Sequence, residues 1–212
     1  MPSFFIESTI STLLQKHVIV GVDEVGYGAI AGPVVSAAVF FPTRNNITQE
    51  IKDSKKLTPQ KRQDLFLEIT KYAKYGIGFA NVSEISQYNI LNATHLSMKR
   101  ALLNMNIKID FILVDGNRTP NLPWKIKTIV NGDNISISIA AASIIAKVTR
   151  DKLMKELHVQ YPQYHWNKNH GYGTKSHISS LYKYGKTIHH RSTFAPISQI
   201  TKTYLEPHQN SI

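Results

Sequence analysis

The 212-residue sequence has no cysteine. Disulfides, thiolate metal sites and cysteine nucleophiles are therefore excluded. It has no apolar run near the roughly 18 residues of a membrane span. The amino terminus lacks the basic region and apolar core of a signal peptide. These absences lead to the expectation of a cytoplasmic protein with no membrane partner. Acidic residues are also few, 14 Asp+Glu against 25 Lys+Arg, leaving a formal net charge of +11. Such a charge favours an anionic partner, although by itself it supports only solubility or loose electrostatic binding. No internal repeat and no low-complexity linker interrupts the chain, and the length suits one domain, or one domain with an appendage, expected to act as a monomer.

The charge is uneven. Residues 145–212 carry ten basic residues and three acidic ones, and no acid lies between Glu156 and Glu206. That stretch holds Lys168, Lys175, Lys183, Lys186, Arg191 and Lys202, interleaved with histidines and with Tyr161, Tyr164, Trp166, Tyr172, Tyr182 and Tyr184. A basic, aromatic-rich face is what phosphate contact and stacking on sugars and bases require. The same residues read equally as a solvated cationic surface over ordinary core aromatics. The adjacent His189 and His190 invite a metal reading, but structural or phosphate-side roles suit them better where oxygen ligands are at hand. Ser143 lacks the context of a nucleophile elbow.

The pattern of apolar runs and breakers predicts an α/β domain with a mixed sheet. A short helix is expected over residues 3–16, with Ser3 as a possible cap. Strands are expected over His17–Val25 and Val34–Phe41, forming a hairpin-like pair across a Gly-rich turn. Thr58-Pro59 starts a helix running to about Tyr75. A third strand over Gly76–Val82 precedes a helix over Asn89–Asn106. Short strands follow at Phe111–Val114 and Lys125–Val130. Ser136 or Ser138 then opens an Ala-rich helix to about His158, and a last helix lies near Lys175–Tyr184. The units are an amino-terminal helical segment (1–16), a main domain (17–200) whose basic helical part begins at about 159, and a flexible tail (201–212).

Three acidic positions are suggestive. Asp23 ends the first apolar run and is followed by Glu24. Asp115 ends Phe111–Val114, and Asp133 follows the next apolar segment just before the Ala-rich helix. On parallel neighbouring strands these carboxylates converge at the carboxyl edge of the sheet, where ligands of open α/β sheets collect. Such an all-oxygen set selects Mg²⁺ or Mn²⁺ over Zn²⁺. Two such ions can activate water and stabilise the leaving oxygen in phosphodiester cleavage. Each acid also has an ordinary reading as a turn residue or helix cap. Successive strand residues face opposite sides, so Asp23 and Glu24 are expected to share a site only through a bend at Glu24, which Gly26 and Gly28 permit.

A set of motifs then narrows the reading. Gly21–Val34 (GVDEVGYGAIAGPV), Asp53–Leu57 (DSKKL), Val114–Asn117 (VDGN), Gly132-Asp133, Ile139–Asp151 (IAAASIIAKVTRD), Gly171-Tyr172 and His189-His190-Arg191 occur in this order. Together they resemble bacterial ribonuclease HII. The resemblance implies a ribonuclease H-like fold, with a central mixed β-sheet flanked by helices and a C-terminal helical extension. It implies endonucleolytic hydrolysis of RNA in RNA–DNA hybrids and cleavage 5′ to ribonucleotides embedded in duplex DNA, in primer removal and ribonucleotide excision. It implies catalytic and metal-binding roles for Asp23, Glu24, Asp115 and Asp133, with two Mn²⁺ or Mg²⁺ ions. Gly26, Tyr27 and Gly28 then meet the ribose 2′-hydroxyl region, Lys55 a phosphate, and Tyr172 the sugar at the junction. The chain departs from the family pattern at Tyr27, where Arg is usual, at His170, where Lys is usual, and at Ser192, where a second Arg is common. All three changes remove cationic character. Competing readings are a non-catalytic hybrid or duplex binder, and another nuclease of the same fold. The retained carboxylates oppose the first, and the Gly-x-Gly and Gly171-Tyr172 elements oppose the second.

Overall fold

A computed structural model of the chain describes residues 1–44, 47, 50–201, 203 and 204. Lys202 and residues 205–212, which make up most of the expected tail, lie outside the described residues. Five strands form one mixed sheet: β1 (Ile19–Val25), β2 (Val34–Phe40), β3 (Lys74–Ala80), β4 (Phe111–Asp115) and β5 (Ile126–Ile129), in the spatial order β3-β2-β1-β4-β5. The first three pair antiparallel, whereas β1, β4 and β5 run parallel. The hairpin-like pair and the parallel neighbours expected from sequence are both present.

Period-two alternation sends Val20, Val22, Ile112 and Val114 to one face. There they pack on Met98, Ala101 and Leu102 of helix α3 (Val82–Asn104) and on Met105, which caps it. This helix lies close against β3. A Cβ at Gly78 would stand 2.0 Å from the Ser97 carbonyl oxygen, so the edge strand needs glycine there. The opposite face receives helix α4 (Ile137–Gln160). Its Ala140, Ala141, Ile144 and Ile145 are fully buried against Ala37 and Val39. Small side chains let α4 approach the sheet closely, and helix α2 (Pro59–Tyr72) covers its flank. Ile10 of helix α1 (Phe5–Leu14) joins Ile19, Leu113 and Ile139 in a further cluster.

Local chemistry sets the helix starts. Thr58 accepts a hydrogen bond from Lys61 N ahead of Pro59, and Ser136 from Ile139 N. Ser136, not Ser138, is therefore the cap of α4. For α1 the cap position is Phe4, without a side-chain bond. Helix α3 begins earlier than its apolar pattern suggests, through a capping box between Asn81 and Glu84. It breaks at Asn89 (φ 64°, ψ 167°), whose side chain accepts from Asn92 N and recaps the remainder. Past α4 come the short helix α5 (Trp166–Asn169) and α6 (Lys175–Tyr184). They pack on the edge of the sheet domain through Ile30, Ala31 and Met154. Thr203 bridges to Lys186, and Tyr204 N donates to the Lys186 carbonyl, so these two residues are docked on this region.

Candidate active site

Parallel pairing of β1 with β4 brings Asp23 and Asp115 to the same edge of the sheet. Both follow the odd-numbered alternation that faces α4. Asp23 is buried against that helix, where Ser143 favours its charged form. Its Oδ1 also accepts from Glu24 N at 2.7 Å. Asp115 Oδ1 accepts from Gly132 N at 2.6 Å, which ties β4 to the turn holding Asp133. Asp133 itself is buried, with Oδ1 accepting from Asn134 Nδ2 at 2.7 Å.

Glu24 points the other way. It lines a cavity of about 270 Å³ with Tyr27, Thr94, His95, Met98, Asp115 and Arg118. The bend expected at Glu24 is absent: β1 stays paired with β2 as far as Val25↔Val35, and the chain turns only at Gly26 (φ +92°). Asp23 and Glu24 therefore lie on opposite faces of a regular strand end, and Asp115 beside it interacts with both. Near the carboxyl ends of the strands, side chains from the two faces can meet around the sheet's rim, which they cannot do in the middle of a strand.

The electrostatics show how crowded this edge is. Burial, then repulsion from Glu24 and Asp115, holds the Asp23 carboxyl well above its usual range. Burial and Asp115 push Glu24 up to about 7. Burial, then Asp53 and Asp115, raises Asp133. Lys55 is the local counter-charge. Burial pulls its ammonium down, but Asp23, Asp53, Asp133 and Asp115 outweigh burial and leave it above the ordinary value.

The turn that presents Lys55 is firmly built. Asp53 accepts from Lys55 N at 2.9 Å, Ser54 meets Ser143 at 2.8 Å, and Arg62 Nε donates to the Ser54 carbonyl at 2.9 Å. Asp53 and Ser143 thus belong to the site's surroundings, although neither is among the site residues inferred from sequence. Asp53 lay in plain view within the DSKKL motif.

Among the described residues, no group of three or more His, Asp or Glu side chains is already set to hold a metal ion. Three of the carboxylates each engage one oxygen with a local donor. The donor set nonetheless fits a hard dication, since every ligand atom is a carboxylate oxygen and their mutual repulsion is what a cation relieves.

The loop after β1 exposes Tyr27, which is 40% accessible, and Gly28. A Cβ at Gly28 would meet nothing within 4 Å, so glycine leaves the backbone bare to an approaching ligand. Two fully buried arginines brace this loop from beneath. Arg150 donates to the carbonyls of Pro33, Ala31 and His170, and Arg191 to those of Gly32 and Tyr27. Through His170 the same guanidinium reaches the neighbouring loop, where it lies 5.6 Å from the Tyr172 ring. No sequence signal marks these arginines as braces, because their partners are backbone carbonyls brought together only by folding.

The basic aromatic stretch resolves mostly into core. Tyr161, Tyr164, Trp166, His177, His190 and Arg191 are buried, and Tyr164 stacks on Trp166 with ring centroids 5.2 Å apart. Lys168, Lys175, Lys183 and Tyr182 remain exposed, so the cationic surface is real but carries fewer aromatics than the sequence suggests. His190 is a structural histidine, as its burial and hydrogen bonds show. His170 stands with Nδ1 3.4 Å from Asp151, and Ser192 is exposed. No helix among the described residues is long and apolar enough to cross a membrane.

Comparison with known proteins agrees with this layout. The sequence model of the family described as Ribonuclease HII matches residues 20–197. Ribonuclease HII of Ehrlichia chaffeensis is 67% identical over 207 residues, covering 96% of this chain and 99% of that protein. Among solved structures, ribonuclease H2 of Pyrococcus horikoshii superposes with a TM-score of 0.72 at 26% identity, over 85% of this chain and 95% of that one. Bst-RNase HIII in complex with Mn²⁺ shares the fold with a TM-score of 0.59 at 20% identity, over 70% of this chain and 56% of its own. With a family match spanning most of the sheet and both bracing arginines, and a relative two-thirds identical from end to end, the chain belongs to the ribonuclease HII family of ribonuclease H endonucleases.

Proposed function

We propose that the carboxyl edge of β1 and β4 is the catalytic centre, with Asp23, Glu24, Asp115 and Asp133 as the ligands of two Mg²⁺ or Mn²⁺ ions, and that it hydrolyses the RNA strand of RNA–DNA hybrids and cuts 5′ to single ribonucleotides in duplex DNA. The observation that carries this reading is the convergence of the family's acidic motif positions on one sheet edge, where they repel one another. When bound, the ions supply an activated water and stabilise the leaving oxygen. Lys55, poised over the same carboxylates, is suited to hold a phosphate next to the cleaved bond.

The bare backbone at Gly28, held by the buried turn at Gly26, and the ring of Tyr172 are suited to read the ribose. The 2′-hydroxyl is what separates RNA from DNA at one nucleotide. Tyr27 offers a phenol where a cation would grip phosphate, so ribose recognition here leans on shape and hydrogen bonding. Residues 17–200 act as one catalytic unit, and the exposed lysines from about residue 159 onward extend its grip on the duplex. The chain acts as a cytoplasmic monomer in primer removal and ribonucleotide excision.

Cleavage mapping on matched duplexes with one or four ribonucleotides tests this reading. The expected result is metal-dependent cutting 5′ to the ribonucleotide, leaving a 3′-hydroxyl. Intact substrate at high enzyme concentration would instead support a hybrid-binding protein.

A further inference from the structure

His177 and His190 are buried side by side beneath the Tyr172 loop, and hydrogen-bond chemistry fixes the proton on each. Trp166 Nε1 can only donate, and it lies 3.0 Å from His177 Nε2. That nitrogen is therefore the acceptor, and His177 carries its proton on Nδ1. Nδ1 stands 2.9 Å from the Tyr172 carbonyl oxygen, which can only accept. His190 Nε2 lies 3.1 Å from the same His177 Nε2, so it must be the donor. His190 Nδ1 is then left as an acceptor, and it meets both Thr187 N at 2.9 Å and Thr187 Oγ1 at 3.0 Å. Every donor faces an acceptor in one direction, from Thr187 through His190 and His177 to Tyr172, with both rings neutral. Burial keeps them so, holding His177 down at about 4 and His190 at about 3.

The far end of this chain is the loop that carries Tyr172. Thr174 N shares the Tyr172 carbonyl at 2.8 Å, and the Gly171 carbonyl accepts from Ile30 and Ala31 of the Gly-Tyr-Gly loop. The relay therefore ends where the two proposed ribose-reading loops are joined. We propose that His177 and His190 are positioning residues for cleavage: an uncharged, directional hydrogen-bond relay that sets the Tyr172 backbone and, through it, the ring that meets the substrate sugar. This rests on the assignment of Tyr172 to substrate binding made above.

A double-mutant cycle on the full chain, read with the one-ribonucleotide duplex and metal, tests it. His177→Leu should lower kcat/KM about 10- to 100-fold, mainly through kcat, because a misplaced contact loses reactive geometry. His177→Asn retains an N–H near the Nδ1 position and should recover activity to within about threefold of the parent. In a Tyr172→Ala background, His177→Leu should have little further effect. Histidine ¹⁵N NMR of the unmutated protein should show neutral rings, protonated on Nδ1 in His177 and on Nε2 in His190. Independent losses from His177→Leu and Tyr172→Ala, no rescue by Asn, or an imidazolium at either ring would overturn the relay. An unmutated enzyme that leaves the duplex intact would instead overturn the assignment of the substrate.

Discussion

The acidic edge and the histidine–aromatic cluster both place polar side chains out of water, but they treat charge in opposite ways. At the edge, Asp23, Glu24 and Asp133 are crowded by burial and by one another, with Lys55 as the cation among them. In the cluster, Trp166, His177, His190 and Thr187 match donor to acceptor with no net charge. The first region concentrates repulsion that the proposed dications would relieve. The second is built to hold shape. A fold can carry unrelieved repulsion at a functional site when neighbouring parts over-determine the backbone around it.

The largest break in this comparison should come from Asp23→Asn. Removing a charge-organising group should lower cleavage by about 100- to 1,000-fold or more. The same change removes repulsion, so the metal-free variant should melt at a higher temperature than the parent. Retained cleavage in Asp23→Asn would remove that side chain from the catalytic assignment.

A second prediction concerns pH. The folded-state value of Glu24, about 7, lies above its ordinary value of 4.5. Between these values the folded protein holds more protons than the unfolded chain, so this group makes stability fall as pH rises through that window. In metal-free buffer the loss should be on the order of 1–3 kcal/mol, and Glu24→Gln should flatten it. Denaturant melts at pH 5 and pH 7.5 measure the difference; equal slopes in parent and variant would contradict it.

In the neutral cluster, Trp166→Phe removes one of the two donors that face His177 Nε2, for a loss of about 1 kcal/mol. Its urea midpoint should fall without any change in the metal concentration needed for cleavage. A shifted metal requirement would mean that the two regions are not separable. The smallest effect should come from Tyr27→Arg, which adds one phosphate contact and steepens the logarithmic salt dependence of binding by about one unit. An unchanged slope would place residue 27 away from the substrate backbone.

The strands β1, β2 and β4 were legible because they are nearly continuous apolar runs, the signature of strands buried on both faces. The first turns of α3 were not, because Val82–Tyr88 lacks apolar periodicity; only the capping pair Asn81 and Glu84 betrayed it. The carboxylate positions could be read from their place after apolar strands. How Asp23 and Glu24 share the edge could not, because alternation forbids it inside a sheet and only the strand's end allows it. The histidine relay and the arginine braces were invisible for another reason. The arginines' partners are backbone carbonyls that only folding brings together, and the histidines meet each other and Trp166, an aromatic that composition alone places on the surface.

The central claim is that the acidic edge is a dication site whose repulsion is relieved on binding. The direct measurement is the melting temperature of the parent protein and of Asp23→Asn at pH 7.5, with increasing Mg²⁺ or Mn²⁺. Binding to the folded state alone should raise the parent's melting temperature in proportion to the logarithm of metal concentration. The variant should start higher and respond weakly. The same rise in both proteins, or none in the parent, would contradict the account.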